Sequence, residues 1–314
     1  MAKGKPTKRS SCPALDKILG IPIPVLDKGF VRVVDYMGTE ARIVQAARVS
    51  MGEGIKTPAE DAELMRYLMR HNHTSPFEQL QLTLHCKLPI FVARQWIRHR
   101  TARVNELSGR YSTLKDECYE PDLERIKYQD KINRQGSGES IPIEKARKIL
   151  EVIQAERVLV HQNYQRLVDE GVSRELARIN LPVATYTEWF WNIDLHNLLH
   201  FLQLRCDEHA QWEMRQYANV IRDKIVALWV PNVYRAFEDF VTEALTLSRL
   251  ELRILAAIVD PTDLKTLRQK LSDKEFVANL AKELGISMTE LREAMEKLVG
   301  NKLTLPMAIP SILP

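Results

Sequence analysis

The chain has 314 residues, room for two domains or one large domain with an appendage. Apolar residues make up 45% and charged residues 27%, which excludes a disordered, collagen-like or coiled-coil chain. The formal charge of +4 equals the four cations Lys3, Lys5, Lys8 and Arg9, so the body is neutral and argues little for a nucleic-acid partner.

No apolar run approaches the roughly 18–20 residues that cross a bilayer, and the N-terminus lacks the apolar core of a secretory signal. A cytoplasmic protein without a membrane partner is expected. Cys12, Cys86, Cys118 and Cys206 lie far apart with no C-x-x-C pair and are read as reduced thiols.

Residues 1–24 read as a mobile basic arm. Gly29 to Tyr36 is β-branched and reads as a first strand, ending at Gly38. Two helical faces follow, Ile43, Ala46 and Ala47, then Leu64, Tyr67 and Leu68 after the start signal Pro58. Strict alternation of Leu80, Leu82, Leu84, Cys86 and Leu88 with polar residues predicts a half-buried strand. Pro89 opens a short helix with Phe91, Val92, Gln95 and Trp96, and Arg98-His99-Arg100 stands at its end.

A polar, turn-rich segment then runs to Pro142, its flexible centre at Asn133–Gly138. A long helix is expected from Ile143 to Glu170, stopped by Gly171, and a short one from Arg174 to Asn180. Val183 to Trp191 reads as a strand, and Asp194 as the cap of the next helix. The body, residues 25–248, closes near Leu247. Residues 249–314 have no Trp, Tyr or His and read as a small helical appendage. Leu280–Ser287, with Gly285 at the turn, resembles a helix-turn-helix in outline, but ten basic and nine acidic residues leave no basic surface. The order of strands and helices is neither a regular β-α alternation nor all helical, so the expected class is α+β, mixed helices on a small antiparallel-containing sheet.

Seven of the eight histidines fall in two windows: His71, His73, His85 and His99, then His196, His200 and His209. His196 and His200 share a helix face and invite a metal reading with Asp194, Asp207 or His209. The Glu of a zincin is Asn197 here, and no metal is assigned. The densest chemistry lies between Gln95 and Tyr111, with four arginines in the thirteen residues from Arg98 to Arg110. Planar guanidinium forks beside a Ser108-Gly109-Arg110 turn suit a nucleotide phosphate, and a surface salt-bridge network is the open alternative.

Arg98-His99-Arg100, seven residues, Ser108, then Arg110-Tyr111 resembles the signature of flavin-dependent thymidylate synthases. His71 to Glu78, Phe91 to Trp96, Arg174 to Arg178 with Leu181-Pro182, and Leu202 to Glu213 resemble the same family in the same order, over residues 25 to about 245. The resemblance implies conversion of dUMP to dTMP with FAD as cofactor and NADPH and methylenetetrahydrofolate as co-substrates. It implies FAD contacts at His73, Ser75, Arg98, His99, Arg100, Glu106, Asp194, His196 and His200, although relatives commonly carry Asn or Arg in place of Asp194 and His196. It implies dUMP contacts at Gln95, Arg98, Leu107, Ser108, Gly109, Arg110, Arg178 and Arg205. Arg205 is then the principal catalytic residue, donating to a uracil carbonyl where enolate-like charge develops.

On a continuous helix at about 100° per residue, Arg205 lies about 180° from His196 and about 140° from His200. Either FAD spans the helix or several copies share one site, and the resemblance implies the second, a homotetramer with sites between subunits. Two rival readings are a metal-dependent hydrolase on His196 and His200, and a nucleic-acid-binding protein using the basic arm and C-terminal helices. A visible absorption spectrum separates the first, and salt-dependent binding the second.

Overall fold

The central sheet of the computed structural model is antiparallel, with strand order β1-β2-β3-β7-β4. The structure describes residues 9–49, 57–131, 136–250 and 273–299, and the chain divides into two units, residues 1–242 and 243–314.

In the first unit α1 (Pro13–Asp16) leads into β1 (Ile23–Val25), β2 (Gly29–Met37) and the helices α2 (Glu40–Val49) and α3 (Pro58–Arg70). Then come β3 (Gln81–Pro89), α4 (Ile90–Trp96), β4 (Arg103–Glu106), the hairpin β5 (Lys127–Gln129) and β6 (Ser137–Ser140), and the long α5 (Ile143–Asp169). The short α6 (Arg174–Ala177), β7 (Tyr186–Asp194), α7 (Leu195–Arg205), α8 (Trp212–Ile221), α9 (Ala227–Trp229) and α10 (Pro231–Phe237) complete it.

Strand β3 is central because its alternation gives it a fully apolar side: Leu80 just before it, then Leu82, Leu84, Cys86 and Leu88, are all completely buried. On β7 the matching side is Trp189, Trp191 and Ile193. These tryptophans meet Trp96 of α4 edge-on at 5.6 and 5.2 Å, and Phe201 of α7 closes the cluster 5.0 Å from Trp96. Each such ring contributes roughly 1.5–3 kcal/mol by burial. The cluster locks α4 and α7 under the sheet and so fixes where the residues at their ends stand.

Thr57 caps α3 in a reciprocal box with Glu60, and Asp194 caps α7, as Pro58 and Asp194 lead one to expect. Three expectations are corrected. Residues 9–24 are not a free arm: Leu15 is fully buried, and the Tyr36 hydroxyl accepts from the Cys12 amide at 2.6 Å and donates to Asp16 at 2.6 Å. Residues 1–8 lie outside the described residues. The loop expected at Asn133–Gly138 holds β6 in its described part, Gly136 to Gly138, because Ser137 pairs with Gln129. The strand expected at Val183–Trp191 runs three residues later, since Pro182 and the Thr185 amide, bonded to the Pro182 carbonyl at 2.9 Å, form a turn first.

In the second unit α11 (Lys274–Leu284) is capped by Asp273 and ends at Gly285, whose φ of +65° is left-handed. Ser287 accepts from the Glu290 amide at 3.1 Å and starts α12 (Met288–Val299). Val277, Ala281 and Leu291 are its buried contacts, the helix–turn–helix outline that Gly285 suggested.

Candidate active site

The first cluster forms where α3 reverses. Asn72 adopts φ +56°, the His73 amide donates to the Leu68 carbonyl at 2.9 Å, and the Asn72 amide donates to Met69 at 3.1 Å. Asn suits this left-handed position in place of glycine. The turn sets His73 and Thr74 over α7, whose His196, His200 and Gln203 fall on one face. Together they rim a cavity of about 250 Å³ floored by Leu68, Phe77, Leu199 and Phe237. Ser75 is exposed beside Thr74 and does not line the cavity. Both oxygens of Asp194 are used within the helix start, accepting from the Asn197 amide at 2.9 Å and its side chain at 2.7 Å.

The second cluster forms where α4 ends. Trp96 is buried, which turns Arg98 and Arg100 to solvent and His99 inward. Arg205, in the last turn of α7, donates its Nε to His99 Nε2 at 3.0 Å and its Nη2 to the Gln95 carbonyl at 3.4 Å. A guanidinium only donates, so His99 Nε2 is the acceptor and the ring carries its proton on Nδ1. Burial first, then the charges of Arg205 and His200, lower the His99 pKa to about 4. Burial also pushes the Arg205 guanidinium below its ordinary value, and it stays cationic. The His99 and His200 rings lie 6.3 Å apart, so His99 stands between Arg205 and His200. The separation argued from helical phase is therefore bridged within one chain by a side chain from the turn that follows α4.

The third cluster is the turn after β4. Glu106 accepts from the Thr187 hydroxyl at 2.7 Å, and the Leu107 amide donates to the Glu188 carbonyl at 2.8 Å. The Ser108 carbonyl then accepts from Tyr111 and Ser112 at 3.1 Å, while its hydroxyl accepts from the Arg110 amide at 3.3 Å. One backbone donor expected to face a phosphate is thus partly spent inside the turn. Arg178 lies against Gly109, where an added Cβ would come 3.1 Å from both its Cδ and Nη1. Arg110 pairs with Glu175 at 3.1 Å in an exposed contact. No hydrogen bond or ion pair among the described residues joins this turn to the Arg205 cluster. Arg103 donates to Asn192 at 3.2 Å across the strand pair.

Behind Gln95 lies a chain of polar contacts that spacing alone did not reveal. The Gln95 amide donates to Gln211, Gln211 donates to Glu213 at 3.0 Å, and Arg125 donates its Nε to Glu213 at 2.7 Å. Gln211 and Glu213 belong to the matched stretch Leu202 to Glu213, but nothing in sequence ties Arg125 to them. A larger cavity of about 740 Å³, walled by the β5–β6 hairpin, Arg125, His209, Trp212 and Arg215, contains none of the expected site residues. Among the described residues, no three His, Cys, Asp or Glu side chains are arranged to hold a metal ion, and no helix is long and apolar enough to cross a membrane.

Guanidinium groups, a serine turn and a histidine-rimmed cavity on one antiparallel scaffold are the kinds of group that an anionic nucleotide beside a flat heteroaromatic ring requires. Residues 32–232 match the family model described as thymidylate synthase complementing protein. The flavin-dependent thymidylate synthase of Ehrlichia ruminantium (strain Welgevonden) is 47% identical over 296 residues, 94% of each chain. That of Thermus thermophilus is 50% identical over 280 residues, 89% of this chain and 97% of its own. The crystal structure of a UMP/dUMP methylase PolB from Streptomyces cacaoi bound with 5-Br dUMP superposes with a TM-score of 0.64 at 31% identity, covering 70% of this chain and 99% of that one.

The chain belongs to the family of flavin-dependent thymidylate synthases. FAD is its cofactor, with NADPH and methylenetetrahydrofolate as co-substrates. The Ehrlichia match spans 94% of the chain, so it extends past residue 248 into the C-terminal unit, which the sequence motifs had left outside the family. The metal-hydrolase and nucleic-acid readings find no support in these relatives.

Proposed function

We propose that this chain methylates dUMP to dTMP in the cytosol, as a homotetramer whose active sites combine residues from several copies. The folate methylene becomes the C5 methyl group, and NADPH provides the hydride that completes its reduction, so tetrahydrofolate and NADP⁺ leave. The observation that carries the reading is the convergence on His99 of Arg205 at 3.0 Å, with Gln95 behind it.

A neutral imidazole accepts from Nε of Arg205 and so orients its guanidinium. The remaining donors can address a uracil carbonyl as negative charge develops on the ring, where one such preorganised donor is worth on the order of 3 kcal/mol. Arg110 and Arg178, with the Ser108 hydroxyl and the Gly109 backbone, are assigned to the dUMP phosphate. Ser108 has no base within hydrogen-bond reach among the described residues, which favours a binding role over a nucleophilic one.

When bound, FAD supplies the two-electron carrier. The residues fit it: a histidine rim over an apolar floor suits a flat ring, and exposed Arg98 and Arg100 suit a pyrophosphate. The cavity of about 250 Å³ is below the roughly 300–1,000 Å³ of complete small-molecule sites, which supports completion by a second copy. Val152, Ile153, Val158 and Leu159 stand exposed on α5 and support self-association. Four free thiols accord with the cytosol.

The test is the visible spectrum and dTMP formation of the purified protein. Bound flavin bleached by NADPH and dTMP made from dUMP are expected, and a protein that takes up no FAD overturns the reading. Arg205→Lys should keep the flavin but lose about a hundredfold in rate at saturating substrates, because Lys keeps the charge and loses the fork.

A further inference from the structure

Glu213 is 4% exposed, an unusual place for a carboxylate, and every contact it makes is with a donor. Arg125 donates Nε at 2.7 Å and Nη2 at 3.4 Å, the Tyr119 hydroxyl donates at 3.4 Å, and Gln211 Nε2 donates at 3.0 Å. Arg125 also lies 5.4 Å over the Trp212 ring, which fixes the cation from its other side.

A carboxylate paired with a permanent cation accepts only. Gln211 must therefore turn its NH₂ toward Glu213, which leaves its Oε1 facing Gln95. Gln95 must in turn donate from Nε2 to that oxygen. The reversed orientation of either amide would set two acceptors or two donors face to face, at the cost of an unmade buried hydrogen bond. No other hydrogen bond of the Gln95 side chain exists among the described residues, so its Oε1 remains as an acceptor. The Gln95 main-chain carbonyl already receives Arg205 Nη2, so residue 95 and the guanidinium are neighbours.

We infer that Glu213, acting through Gln211, is a positioning residue that holds Gln95 as a hydrogen-bond acceptor and thereby selects a pyrimidine bearing N3–H. The inference rests on the dUMP reading of this site. Uracil offers an N3–H donor between two carbonyl acceptors, matching Gln95 Oε1 beside a donor-only guanidinium. Cytosine offers an acceptor at N3 and an amino group at C4, and so opposes acceptor to acceptor and donor to donor. A site built to pair with an N–H rejects the analogue lacking it because its own polar groups are left unpaired.

The test is the ratio of dUMP to dCMP affinity, measured by calorimetry on the flavin-loaded protein. Gln211→Leu breaks the relay and leaves the Glu213–Arg125 pair intact. Glu213→Gln gives position 213 a donor and so permits both amides to reverse. Each variant should lower the ratio at least tenfold, with dCMP binding gained or unchanged as dUMP binding weakens. Glu213→Asp keeps an acceptor-only group and should retain most of the preference. A role in packing alone would weaken both nucleotides equally. An unchanged ratio in Gln211→Leu with native flavin content and melting temperature overturns the relay. Should Glu213→Gln fail to fold, Gln211→Leu and Glu213→Asp decide the matter. Wild-type protein that binds neither nucleotide overturns instead the dUMP reading beneath it.

Discussion

Gly109 shows how closely one residue can be tied to an arginine assigned to the substrate phosphate. Its missing side chain is the space against which Arg178 rests, so Gly109→Ala must move the guanidinium by a few tenths of an ångström. The fold should survive, since the arginine end is flexible, while the KM for dUMP rises severalfold with kcat nearly unchanged. His99 makes a second prediction. Its pKa falls from the ordinary 6.5 to about 4 in the fold, so the unfolded chain binds the extra proton first as pH drops. The stability tied to the neutral ring is full above pH 6.5, is lost as pH falls toward 4, and changes no further below. After screening at this half-exposed position, the loss is on the order of 1 kcal/mol. In His99→Gln, whose carbonyl can still accept from Arg205, denaturant midpoints should lose this part of their pH dependence. At this scale Arg98, Arg100, Arg103, Ser108 and Arg110 stood out as a candidate site because they lie within thirteen residues of one another. Arg125 was not, because its partner Glu213 is 88 positions away and only the folded chain brings them together.

Among the elements, those with a buried face announced themselves. Strand β3 was readable because burial on one side enforces period two, and α7 because Asp194 must satisfy its first amides. Strand β4 and the β5–β6 hairpin were not, because their residues are mostly exposed and their sequence carries no alternation. Those exposed elements nevertheless carry the serine turn and flank Arg125. The join of β2 to the helices depends on Gly29, where an added Cβ would fall 2.0 Å from the Tyr217 hydroxyl and 2.8 Å from the Lys87 carbonyl. That hydroxyl donates to the same carbonyl at 2.8 Å in the buried core. Gly29→Ala should destabilise by about 2–4 kcal/mol, read as a shift in urea midpoint. Adding Tyr217→Phe should recover part of the loss, because it removes the nearest clash but not the contacts with the Val25 and Lys87 carbonyls at 2.7 and 2.8 Å.

For the whole molecule, assembly is the property least visible in the sequence, since it depends on which apolar residues the fold leaves outside. Val152 and Leu159 are 58% and 59% exposed and stand seven residues apart on α5, on one face of the helix. Replacing both with Asp should shift the proposed tetramer to smaller species in light scattering. Flavin content should fall with it, because the small cavity then lacks its completing copy.

The two ends of the central sheet bear on how such an assembly can stop growing. One end is β1, three residues long with Pro24 in its middle, and the other is β4, four residues with Arg103, Asn105 and Glu106 exposed. A proline presents no amide and charged side chains resist a flat neighbour, so neither edge can template a further strand. Copies of this chain are thereby steered away from joining edge to edge into a continuous sheet, the geometry from which fibres grow.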